Sequence, residues 1–116
     1  MEPGEFIQIT TTTASLEEAQ MITRALLEKR LAAATHIESG VSSSYWWKGE
    51  IREAAEWRCT IKTRSEHYER VEAEIIQLHS YETPAIQAFA LTAGSARYLE
   101  WMGAEASGRA SASPQQ

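Results

Sequence analysis

At 116 residues, 43% of them apolar and 23% charged, the chain is long enough for one two-layer core and too short for two. The formal net charge of −5 argues against a nucleic-acid backbone as partner, and no apolar run approaches the roughly eighteen residues of a membrane span. All 16 acidic residues are glutamates, which excludes Asp-built calcium loops and Asp-centred triads.

The opening MEPGEFIQIT lacks the basic and then apolar pattern of a secretory signal, so the cytoplasm is the expected compartment. Cys59, the single cysteine, makes no internal disulfide and agrees with a reducing setting. Glycine-rich phosphate loops, G-x-S-x-G and C-x-x-C are all absent.

FIQITTTTA, from Phe6, is rich in β-branched residues and predicts a strand, with Ile7, Ile9 and Thr11 on one face and Phe6, Gln8 and Thr10 on the other. Ser15 and Glu18 then form a capping-box pattern. Ala19, Ile22 and Leu26 follow at helical spacing, predicting a helix to about Arg30, where Lys29 and Arg30 suit its negative end. AATHIESGVSSSYWW alternates as a long strand. Thr35, Ile37, Val41, Tyr45 and Trp47 share one parity, and His36, Glu38, Ser42, Ser44 and Trp46 the other.

Lys48 and Gly49 read as a two-residue turn. EIREAAEWRCTIKT returns from it, with Trp57, Cys59 and Ile61 facing one way and Glu56, Arg58 and Lys62 the other. Ser65 is the expected N-cap of a second helix, whose apolar stripe is Tyr68, Val71, Ile75 and Leu78. Pro84 pushes Thr83 to extended geometry, and PAIQAFALTA continues as a strand. Gly94 and Ser95 open a short last helix carrying Tyr98, Leu99, Trp101 and Met102. The domain is expected to span residues 1–103, with 104–116 a disordered tail of small and polar residues.

The order β-α-β-β-α-β plus a helix predicts an α+β fold, the ferredoxin-like split βαβ sandwich: a four-stranded antiparallel sheet, two helices on one face, a long hairpin and an extra C-terminal helix. The hairpin outruns what two helices can cover and ends in Tyr45, Trp46 and Trp47. Each of these rings contributes about 2 to 3 kcal/mol when fully buried. An exposed cluster of this kind marks an interface, so a homo-oligomer is expected in which the hairpin reaches a neighbour.

LHSYETPAI, residues 78–86, confines His79, Tyr81 and Glu82 between a helix and a strand. Two readings of His79 stand side by side: a helix-end residue bonding a carbonyl, or a metal or ligand contact. His36 and His67 are weaker ligand candidates, and Cys59 reads as inert core. Glu56 and Lys62 are either a surface ion pair or the lining of a pocket between subunits.

LEKRLAAATHI, SSSYWWKGEI, the E and KT of EWRCTIKT, LHSYETPAI and YLEW stand in the order and spacing of the CutA family, the divalent-cation tolerance proteins. The resemblance covers about residues 6–102. It implies a ferredoxin-like subunit in a tight homotrimer, strands extended between neighbours, a likeness to the PII signalling proteins, and an association with copper and other divalent cations. The cysteine proposed as a family copper ligand falls on Thr11 here, a second common cysteine on Ala34, and the glutamate of H-P-Y-x-x-P-E on Ala85; the histidine is His79. No cofactor is required on this reading. Copper or another divalent cation would be held weakly, by His79 with water or with a neighbour's groups.

Three functions follow from the residues and the resemblance together. The chain serves divalent-cation tolerance and the response to metal ions; or it is a PII-like module holding a small anionic ligand near Lys62, Glu56, Tyr81 and Arg97; or it is a trimeric scaffold for a partner protein. No motif joins a nucleophile to a base, so an enzyme is not expected.

Overall fold

The structure, a computed structural model, describes residues 4–109. Its elements are β1 (Phe6–Thr13), α1 (Leu16–Glu28), β2 (Ala34–Trp47), β3 (Glu50–Arg64), a 3-10 turn (Ser65–His67), α2 (Tyr68–Leu78), β4 (Gln87–Ala90) and α3 (Ala96–Glu105). The strands form one antiparallel sheet in the order β2-β3-β1-β4. The α+β, ferredoxin-like arrangement expected from the sequence is the one found.

Alternation along β1 and β3 decides what lies where. Ile9 opposes Ile61 and Thr11 opposes Cys59, and this face packs beneath Ala19, Ile22 and Leu26 of α1 and Val71 and Ile75 of α2. The second face, carrying Phe6, Gln8, Thr10, Lys62, Thr60 and Arg58, is left open except at one end. There α3 lays Leu99 and Met102 on Phe6.

Five local expectations are corrected. In α1 the Ser15 hydroxyl accepts from the Glu18 N–H at 3.1 Å, but the Glu18 carboxylate turns away to Ser80, so only half of the capping box forms. The helix ends at Glu28 because Arg30 adopts a φ of +58°, and the Leu31 N–H then closes on the Leu26 carbonyl. Ser65 caps nothing with its side chain; its N–H ties back to Glu5 and opens the 3-10 turn. β4 is four residues long, because β1 pairs with it only from Ile7 to Thr10.

The fifth correction concerns parity. β2 pairs Glu38 with Arg58 but Val41 with Glu56, a bulge of one extra residue. Gly40, at φ +75°, supplies the left-handed conformation that the bulge needs. Thr35 and Ile37 therefore face the helices, whereas Val41, Tyr45 and Trp47 share the open face with Glu56. Trp46 pairs with Ile51 on the opposite surface. The turn forms as read, with Lys48 and Gly49 both at positive φ.

Residues 104–109 are ordered, against the expectation of a disordered tail from 104. α3 continues to Glu105, Ala106 is buried, and its carbonyl accepts from His67 Nε2 at 2.8 Å. Gly108 donates to the Arg30 carbonyl and accepts from Arg70, each at 2.8 Å. Small residues hold here because they fit: a Cβ on Gly108 would meet the His67 ring at 2.6 Å. Residues 110–116 lie outside the described chain.

Candidate functional site

The corner after α2 is built by α1, β1 and β3 together. His79 is 9% exposed. Its Nε2 lies 2.8 Å from the Thr12 carbonyl, which can only accept, so Nε2 carries the proton. Nδ1 accepts from the Tyr81 N–H at 3.1 Å. The neutral ring thus spends both nitrogens on backbone, and its centroid lies 4.8 Å from that of Tyr81. Glu18 completes the corner, accepting from the Ser80 N–H at 2.6 Å and the Ser80 hydroxyl at 3.0 Å, with Nδ1 of His79 3.5 Å away.

Tyr81 then reaches the open face. Its hydroxyl donates to Glu56 Oε2 at 2.6 Å, and burial first, followed by the bond to and charge of Glu56, pushes the phenol pKa up. Glu56, although 4% exposed, lies at the edge of a cleft of about 770 Å³ walled by Val41, Tyr45, Trp47, Arg52, Arg58 and the loop after His79. Arg52 and Arg58 face Glu50 and Glu38 at 3.6 and 3.4 Å.

Of the four residues read as a ligand pocket, the structure joins two. Glu56 and Tyr81 are bonded in the cleft. Lys62 lies six residues along β3 with its ammonium 5.5 Å from the Tyr98 ring of α3, and Arg97 is exposed on α3; neither lines the cleft. Arg52 and Arg58 line it instead. Arg58 was already on the parity of Glu56, but the bulge that swings Tyr45 and Trp47 to that side was the missing step.

The positions marked by metal ligands elsewhere do not converge. Thr11 is buried on the helix face opposite Cys59, whereas Ala34 pairs with Lys62 on the open face. No group of three or more His, Cys, Asp or Glu is arranged to hold a metal among the described residues. A divalent ion takes several ligands, and the donor set of the described residues does not fit one here. Cys59 is buried, and burial, then the Glu18 charge, pushes its thiol from 9.0 up to about 11, so it offers no thiolate near neutral pH.

The comparisons agree with this arrangement of elements. Residues 7–105 match the family model of the CutA1 divalent ion tolerance protein. The Archaeoglobus fulgidus protein named divalent-cation tolerance protein CutA is 43% identical over 91 residues, 78% of this chain and 88% of that one. Its namesake in Thermotoga maritima is 38% identical over 96 residues, 83% of this chain and 94% of its own. A solved structure described as the periplasmic divalent cation tolerance protein CutA from Archaeoglobus fulgidus superposes with a TM-score of 0.85 at 40% identity, covering 87% of this chain and 98% of that one. With one family model spanning every element from β1 to α3, the chain belongs to the CutA1 divalent ion tolerance proteins.

Proposed function

We propose that this protein serves divalent-cation tolerance, copper included, as a cytoplasmic homotrimer without catalytic activity, and that it does so without a tight resident metal. The observation that carries the reading is the hairpin. β1 pairs with β3 only from Trp57 to Arg64, so the outer stretch of β3 has β2 alone beside it. That half carries Trp46, 71% exposed, and Ile51, 61% exposed, on one surface, and Tyr45 and Trp47 on the other. Burying such rings against neighbours supplies the driving force for assembly.

Copper or another divalent cation is met weakly on this reading, because His79 would have to surrender the Tyr81 N–H to offer Nδ1. Calorimetric titration with Cu(II), repeated with a chelator control, tests this. An isotherm no tighter than about micromolar is expected, and a stoichiometric, much tighter site in the trimer would overturn it. Among the described residues no helix is long and apolar enough to cross a membrane.

A further inference from the structure

Most described cations of this chain stand within ion-pair distance of a glutamate, as Lys29 does with Glu74 and Arg64 with Glu66. Lys62 does not. It is half-buried on the open face, its ammonium rests 5.5 Å from the Tyr98 ring, and no carboxylate of the described residues pairs with it. Glu56 is its counterpart, a buried carboxylate whose hydrogen-bond partner among the described residues is the Tyr81 hydroxyl. Burying a carboxylate is unfavourable unless a cation or several donors compensate; the two guanidinium groups of its cleft, Arg52 and Arg58, are turned to Glu50 and Glu38, which leaves room for a further cation.

The two residues face the same way on β3 but stand six positions apart, about 20 Å at the rise of a strand. A lysine side chain cannot span that, so the charges cannot meet within one subunit. We propose that Lys62 of each subunit pairs with Glu56 of the next. Every subunit then gives one cation and receives one, and a contact between unlike patches closes into a ring. This rests on the homotrimer reading and specifies its interface.

The surroundings of both residues suit such a contact. Tyr45 and Trp47, the overhanging hairpin aromatics, wall the cleft of Glu56. Phe89, 54% exposed, shares with Lys62 the row of the sheet centred on Gln8. Apolar margins of this kind exclude water and strengthen a pair at their centre. Arg97, the other described cation of the predicted pocket, is exposed on α3 and has no burial to compensate.

A double-mutant cycle tests the pairing. Sedimentation of the parent, Glu56→Gln, Lys62→Met and the double variant would measure subunit dissociation, with circular dichroism reporting the fold. Each single change is expected to weaken assembly by about thirty-fold or more, and the double change by no more than the worse single. Independent, additive effects, or a trimer indifferent to both changes, would overturn the pairing while leaving the trimer standing. A monomeric parent would overturn both.

Should the variants not fold, carbodiimide cross-linking of mixed isotope-labelled parent subunits reads the same contact. A Glu56 to Lys62 link between differently labelled chains supports it; Glu56 joined to another lysine, or to none, overturns it.

Discussion

Tyr81 and Glu56 are tied by a 2.6 Å hydrogen bond that links the loop after α2 to the outer half of β3. The bond anchors the open-face cleft to the buried corner, because the Tyr81 N–H is itself held by His79. Tyr81→Phe removes the hydroxyl donor that the described residues give a buried carboxylate and is expected to cost about 1 to 3 kcal/mol in denaturant unfolding. A change within experimental error would mean that the Tyr81 hydroxyl contributes nothing to holding Glu56 in the folded chain.

The same burial sets a response to alkali. Folding raises the pKa of the Tyr81 phenol and takes the Cys59 thiol from 9.0 to about 11. In that window the unfolded thiol has lost its proton and the folded one has kept it, so stability falls as pH rises. The contribution is complete below pH 9 and gone above about 11. Denaturation midpoints across this range should decline, and in ultraviolet titration Tyr81 should ionise later than an exposed tyrosine. Midpoints that hold steady through pH 11 would contradict the burial argument.

His79→Ala strips the Thr12 carbonyl and the Tyr81 N–H of partners at one stroke. The expected cost is about 1 to 3 kcal/mol, and whatever weak copper binding Nδ1 supplies goes with the ring. Loss of copper binding without loss of stability would return His79 to the role of a metal ligand.

Two threonines two residues apart on β1 should respond in opposite directions. Thr11 has a buried hydroxyl without a partner among the described residues, whereas the Thr13 hydroxyl donates to the Ser15 carbonyl at 2.8 Å. Thr11→Val is expected to be neutral or stabilising by up to about 1 kcal/mol, and Thr13→Val destabilising by about 1 kcal/mol. Equal effects in thermal unfolding would show that the missing partner of Thr11 is immaterial.

Much of the fold was legible because it rests on period and on local chemistry. The isoleucines of β1 and the i, i+3, i+7 apolar residues of α1 name their faces without help from the rest of the chain. What escaped depends on partners far away. Ser39 and Gly40 read as one more step of an alternation, and only the mismatch with β3 reveals the bulge. Glu18 carries a local capping signal, yet its carboxylate is claimed by Ser80, 62 positions later. The docking of Ala106 and Gly108 has no signature either, since small residues signal disorder until His67 and Arg70 are placed beside them.

That docking reverses what composition suggested for the tail. Removing residues 107–116 takes away the Gly108 bonds to Arg30 and Arg70, and a fall in melting temperature is expected. Gly108→Ala should act in the same direction, because its φ of +81° is strained for alanine and the added Cβ meets His67. Unchanged melting in both variants would return the segment to a solvated tail.

The proposal stands or falls on assembly, because it sets the overhanging hairpin and the charges of Glu56 and Lys62 against a neighbour. Light scattering at low micromolar concentration measures it directly, with Trp47→Ala as the loosened variant. A mass three times the chain's 13.0 kDa, reduced in Trp47→Ala, is the expected result, and a parent that scatters as a single chain would contradict it.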